Sequence, residues 1–447
     1  MTLRLDVPLG EPSRDVSLRA SPSSSARRVL LLATTTGYQT RMFTEAAASL
    51  GIDIVYATDR CDHLDDPWRD GAIAVRFHEE WRSVDAVLKS LDARPVSGVL
   101  VVGDRPSVMA AYITRLLGLP GHSPEAATIA RDKRLSRERL RTAGLPVPEF
   151  FAVPSTNDPS ALLSRVSFPV VVKPTVLSAS RGVIRADDAL SFVTAFGRVQ
   201  RMLASNDVRE LRDPESDVIQ IESYIPGAEY ALEGILEQGV FHALAIFDKP
   251  DPLDGPFFEE SIYVTPSRAN AGTVRQITDM VERAARALGL HHGPVHAECR
   301  VNSTGVYVLE VAARPIGGLC ARALRFVKPG EPSIGLEQLL LRHAIGEPVG
   351  EWTRESDASA VMMIPIPRSG VFRGAAGVDE AKAVAGIDEV LITAKPDQQL
   401  LALPEGSSYL GFIFAHAPTP DAAEQAVRAA HACLRLHIDP LLEVLNR

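Results

Sequence analysis

The sequence predicts an α/β chain that turns α+β further on, organised as about three domains. Three observations carry that expectation. The chain has 447 residues, and single cores stop growing well short of that length. Residues 28–102 alternate strand, helix and strand, the rhythm of a parallel sheet. From about residue 147 short strands pair around glycine turns, which fits antiparallel hairpins.

Composition narrows the function. Hydrophobic residues make up 46% and charged residues 23%, an ordinary globular balance that excludes global disorder. The 47 Lys and Arg against 56 Asp and Glu leave a net charge of −9, so no broad grip on nucleic acid is expected. Cys61, Cys299, Cys320 and Cys433 lie far apart with no CxxC pair, which fits a reducing cytoplasm. No apolar run approaches the roughly 18–20 residues of a membrane helix. Residues 1–27 carry Asp6, Glu11, Asp15 and a serine run, and read as a mobile tail.

Each element follows from its own pattern. Val29–Ala33 reads as a buried parallel strand. A helix at Arg41–Leu50, strands at Ile52–Ala57 and Ala72–Phe77, a helix at Val84–Leu91 and a strand at Val99–Val102 follow. The loop Thr34–Thr40 lacks GxGxxG, so this first unit, 28–121, is expected to be scaffold or a substrate wall. His122–Gly144 reads as helical, stopped by Gly144-Leu145-Pro146. Strands are expected at Val147–Val153, Phe168–Lys173, Val183-Ile184 and Val218–Glu222. A hairpin joins Glu229–Leu236 to Val240–Phe247, a helix spans Thr273–Leu288, and a second hairpin joins Val295–Val301 to Val306–Ala312. Strands at Ser359–Pro365, Ile387–Ala394 and Tyr409–Ala415 and a helix at Asp421–Leu434 suggest a separate α+β domain, 353–447.

The second hairpin carries the chemistry. Val295, Ala297, Cys299 and Val301 alternate with His296, Glu298 and Arg300, the period of a half-buried strand. A three-residue loop Ser303-Thr304-Gly305 would set Glu298 opposite Glu310, with Leu309 on the apolar face beside Cys299 and Val311. Facing carboxylates repel unless a cation sits between them, and hard oxygens suit Mg²⁺. Two unrelated glutamates on a solvated strand face are the competing reading.

Other residues are weaker signals. Arg314, four past Glu310, could stabilise developing negative charge. Lys173 ends an apolar strand, so its ammonium must reach a cleft or an anion. The small-residue loop after it, Ser178 to Gly182, could lay N–H groups over phosphates. Lys133 alone would read as a surface lysine. Glu222-Ser223-Tyr224-Ile225 could offer backbone to an adenine edge, and Glu229 a carboxylate to a ribose.

In this order the pieces resemble the ATP-grasp superfamily of carboxylate–amine ligases, over about His122 to Arg325. The resemblance implies an ATP-grasp fold at 122–352, with subdomains of about 122–222 and 223–325, after a small parallel α/β domain and before a small α+β domain. It makes Lys133 and Lys173 phosphate-binding lysines and Ser178, Ser180 and Gly182 part of the loop over the phosphates. It makes Glu222, Ser223, Tyr224 and Ile225 the adenine linker, Glu229 the ribose ligand, and Glu298 and Glu310 the ligands of Mg²⁺, with Mn²⁺ as a substitute.

The run Glu310 to Gly318, with Arg314, Gly317 and Gly318, is similar to that of the L-amino acid ligases, as is Leu403–Phe412. Many superfamily members carry Asn where Ala312 stands. Glu260 matches a glutamate expected to hold a substrate amine, whereas Tyr263 stands where dipeptide-forming members tend to have His. The resemblance implies an amide-forming enzyme that uses ATP and passes through an acylphosphate, with Arg314 and Lys173 as catalytic residues. Glu260, Tyr263, Arg314, Gly317 and Gly318 would contact small carboxylate and amine substrates. Neither nucleic acid nor membrane is an expected partner, and a homodimer is compatible with the family. A biotin-carboxylase-type enzyme and a non-catalytic ATP-binding module are the alternatives.

Overall fold

The computed structural model describes residues 27–34, 37–59 and 72–441. The expected tail up to residue 26, and Cys61, lie outside the described residues. The first unit is a parallel sheet with Arg28–Ala33 between Asp53–Thr58 and Gly98–Val102 and with Ile73–Ala74 at the edge. The expected strand 72–77 shrinks to those two residues. Val29 to Leu32 are fully buried between the covering helices, as their unbroken apolar run requires. The strand Gly98–Val102 ends at Gly103, in left-handed conformation, which turns the chain and presents Asp104.

The helix expected over 122–144 is two helices, Pro124–Arg131 and Lys133–Thr142. Asp132 breaks them with an extended backbone, and its carboxylate accepts the Leu135 N–H at 2.8 Å as an N-cap. Lys133 is therefore the first residue of a helix and not a mid-helix surface lysine. Next comes an antiparallel sheet in the order Phe150–Pro154, Val218–Ser223, Val170–Pro174, Ile184–Ala186. The helix Ala189–Leu203, absent from the sequence reading, packs Phe192, Phe196 and Val199 onto it.

The largest sheet has eight strands: Gly305–Ala312, Gly293–Asn302, Ala228–Glu237, Val240–Lys249, Ile262–Thr265, Ala358–Ile364, Gly411–Ala417 and Ile387–Ile392. The C-terminal strands thus continue the sheet of the preceding unit, whereas the sequence suggested a separate domain. The join is Ile262–Thr265, a buried four-residue strand that pairs along its whole length with Ser359–Met362. So short a strand has no periodicity that would reveal its partner. The C-terminal region keeps its own core, which includes Ile364, Phe372, Ile413 and Val427.

Alternation splits the large sheet into two faces. One buries Leu232, Val295, Ala297 and Val311 against Ile277, Val281 and Ala284 of the helix Ala271–Leu288. The other face carries Glu229, Glu233, His296, Glu298, Arg300 and Lys249. Among the described residues, no helix is long and apolar enough to cross a membrane.

Candidate active site

The hairpin sets Glu298 opposite Glu310, as its pattern predicts, but by a different route. The turn holds two residues, because Asn302 pairs with Gly305. The register then shifts by one at Leu309, a β-bulge, which restores the Glu298–Glu310 pair. The bulge takes Leu309 off the apolar face. Leu309 lines the cavity instead, and its carbonyl accepts from Arg137 at 2.7 Å.

Three neighbouring strands place Lys249, Glu229 and Arg300 in one cross-strand row. Lys249 Nζ donates to Glu229 at 2.8 Å, Glu260 at 2.7 Å and Glu298 at 3.0 Å. Arg300 Nε donates to the other Glu229 oxygen at 2.8 Å. Burial alone would neutralise Lys249, but the three carboxylates hold its pKa well above the ordinary value. Burial pushes Glu298 up, and Lys249 and His296 outweigh it and hold Glu298 well down. Glu260 goes the other way, to about 7, because burial and Glu298 outweigh Lys249. Its second oxygen accepts from the Tyr263 hydroxyl at 2.8 Å. Glu229 and Glu260, expected to meet ribose and amine, thus have internal partners on both oxygens.

The first linker residue, Glu222, anchors a buried polar cluster. Glu222 accepts from Arg137 at 2.7 Å and from Lys173 at 2.6 Å, while Gln220 donates to it at 2.6 Å. Burial would raise Glu222, but the two cations bring it to about 2. Burial lowers Lys173 to about 8, against the pull of Glu222. Lys133 Nζ donates to the Leu177 carbonyl at 2.8 Å and sits 3.6 Å from Glu310.

Arg314 is not a free cation. Asp104 of the first unit takes Nε at 2.7 Å and the terminal nitrogen at 3.0 Å, and Glu310 is 3.9 Å away. Cross-strand partners His296 and Glu233 form a second buried pair. Burial lowers His296, but Glu233 overrides it and lifts it to about 9. The other Glu233 oxygen accepts the Ile316 N–H at 3.2 Å, which fixes the loop after Arg314. In that loop the Gly318 carbonyl accepts from Gln39 at 2.7 Å. A Cβ at Gly317 would meet open space.

In the small-residue loop, Ala179 and Ser180 both hold left-handed backbones. Gly182 has a different role from the expected one. Its N–H donates to the Pro404 carbonyl at 2.9 Å, and a Cβ there would come within 3.0 Å of Pro174 and Met202. In the linker, Ser223 and Tyr224 spend their N–H groups on Glu149 and Pro169, and the Ile225 carbonyl accepts from Arg300. One cavity of about 780 Å³ is lined by Lys133, Lys173, Ser178, Ser180, Glu298, Glu310 and Arg314, together with Glu222 to Ile225.

A family model of the ATP-grasp domain matches residues 166–323, and one of the L-amino acid ligase C-terminal domain 2 matches residues 362–439. The chain carries an ATP-grasp domain followed by an L-amino acid ligase C-terminal domain. The solved L-amino acid ligase of Bacillus licheniformis superposes with a TM-score of 0.74 at 26% identity, over 92% of this chain and 98% of that one. An uncharacterized protein of Sinorhizobium fredii is 24% identical over 80% of this chain and 70% of its own length. The alanine–anticapsin ligase of Bacillus subtilis is 29% identical over 45% of this chain, which spans 44% of that ligase.

The donor set of this ATP-grasp domain fits a hard divalent cation. Glu298 and Glu310 are half-buried, opposite each other and on one cavity. Sequence reasoning missed Lys249, Arg137, Asp104 and the Glu233–His296 pair. One signal was available. Lys249-Pro250 ends an apolar strand just as Lys173-Pro174 does, so its ammonium too must reach a cleft or an anion. A carboxylate amid Ala231-Leu232-Glu233-Gly234-Ile235 was a second signal, since a charge inside an apolar strand demands a partner.

Proposed function

We propose that this ATP-grasp ligase joins the carboxylate of one amino-acid-like substrate to the amine of another and releases ADP and phosphate. The carrying observation is that Lys133, Lys173, Glu298, Glu310 and Arg314 line a single cavity. The names and folds of its relatives support the same reading.

In the first step a substrate carboxylate oxygen attacks the γ-phosphorus of ATP. The bond to the β-phosphate oxygen breaks, leaving an acylphosphate and ADP. Lys133 and Lys173 neutralise phosphate charge, and positioning supplies most of the acceleration. Glu298 and Glu310 would hold Mg²⁺, which supplies charge neutralisation on the phosphates. In the second step an amine nitrogen attacks the acyl carbon, phosphate leaves, and the nitrogen loses a proton. Arg314, oriented by Asp104, steadies the tetrahedral oxyanion. The loop around Ser178 and Ser180 keeps water from the acylphosphate.

A phosphate-release screen over carboxylate and amine pairs, read with mass spectrometry of the products, tests this. Release that needs both partners and yields an amide supports it. Release with bicarbonate and no amine would favour a carboxylase instead. Glu310→Ala should cut ADP formation at least a hundredfold, and near wild-type turnover would remove the metal assignment.

A further inference from the structure

Beside Glu260 the cavity wall changes character. The C-terminal region contributes Met363, Thr393, Gln398, Ser408, Tyr409 and Phe412, among other residues, and every described residue it contributes is uncharged. The lysines and arginines on the cavity all come from earlier in the chain. Each already faces a carboxylate: Arg105 with Asp59, Arg131 with Asp213, Lys133 with Glu310, Lys173 with Glu222, Arg300 with Glu229 and Arg314 with Asp104.

The aromatic part of this wall is continuous. The Phe412 ring lies 6.2 Å from that of Tyr409, and Tyr263, Cys320, Met363 and Phe412 share one packed cluster. A Cβ built on Gly318 would stand 3.4 Å from the Phe412 ring and 3.7 Å from Cys320 Sγ. Phe412 therefore closes the space that Gly318 leaves. Tyr263 bonds Glu260, so an acidic group sits at the edge of an apolar surface. The segment bearing the wall is anchored, because Arg198 grips the Glu405 carboxylate and Gly182 donates to the Pro404 carbonyl.

We propose that this wall is a side-chain subsite for an amino-acid substrate with a neutral, apolar side chain, its amine at Glu260, and that Phe412 and Tyr409 set its size. The proposal rests on the ligase reading above. A charged side chain placed there would lose its water and gain no counter-charge. An apolar one would cover aromatic surface and lose nothing.

The test is calorimetric titration of leucine, methionine, aspartate and lysine into the protein with Mg²⁺ and a non-hydrolysable ATP analogue, run beside the ligation assay. Leucine and methionine should bind at least tenfold more tightly than aspartate or lysine. Phe412→Ala should weaken leucine about tenfold and leave the nucleotide within twofold. Ser408→Lys alters an exposed side chain, so folding is spared, and it should improve aspartate over leucine about tenfold. Tighter binding of a charged amino acid, an equal loss for all four in Phe412→Ala, or no binding of any of them overturns the subsite. Leucine binding that depends on Phe412 without any ligation would sink the ligase reading and keep the subsite. Ligation confined to charged amino acids would do the reverse.

Discussion

Asp104 and Arg314 form a two-pronged ion pair, at 2.7 and 3.0 Å, between the end of the parallel sheet and the loop that follows the hairpin of Glu298 and Glu310. Two prongs fix the plane of a guanidinium as well as its position. The first unit thus orients a cation on the cavity wall. Asp104→Asn should lower kcat about tenfold and leave KM for ATP within twofold, and Asp104→Glu should restore part of the rate. Steady-state kinetics with both substrates varied would check the split.

Lys249 bonds three carboxylates that would otherwise repel one another. Lys249→Met should cost roughly 3–5 kcal/mol of stability, the range for an orphaned buried charge. Urea denaturation measures the loss. Added Mg²⁺ should return part of it in the variant, since the carboxylate oxygens lie within 4.8 Å of one another.

Glu405 ties the C-terminal region to the small antiparallel domain through Arg198, and its backbone carbonyl accepts from Arg181 at 2.9 Å. Glu405→Gln loosens that contact beside the loop of Ser178 to Gly182. The expected result is a three- to tenfold rise in ADP release without amine, because water would reach the proposed acylphosphate more often. Comparing ADP with amide product by mass spectrometry reads the leak.

A histidine cluster away from the active site gives the pH dependence. The rings of His292 and His343 stack at 4.2 Å, and the backbone N–H of the neighbouring His291 donates to His122. Burial lowers His343 to about 3 and His122 to about 4, both from 6.5, and lowers His292 as well. The folded state therefore binds fewer protons than the unfolded one below pH 6.5. Stability is full above that pH and falls as the pH drops towards 4. His343→Phe keeps the ring stack without a proton site. Its stability should fall less steeply, by about 1.4 kcal/mol per pH unit for the proton removed. Chemical denaturation at several pH values would show the two slopes.

Much of the fold was legible because its signals are local. The two hairpins, the helix Ala271–Leu288 and the parallel strands each follow from a run of apolar residues at a fixed period. The break at Asp132 was less visible, since one capping aspartate interrupts an otherwise helical pattern. The hairpin shows how a local signal can mislead in detail. The extra residue sits in the bulge at Leu309 and not in the turn, and alternation alone cannot tell the two apart.

The sequence by itself determined which faces carry charge. It put Glu298 and Glu310 on the facing strands of one hairpin, and the bulge at Leu309 then set them opposite each other. Only the tertiary structure decided what each charge meets. Lys249 reaches Glu229, Glu260 and Glu298, and Arg314 reaches Asp104 across 210 positions. The physical reason is that period says which way a side chain points, whereas its partner is set by which distant strand packs beside it.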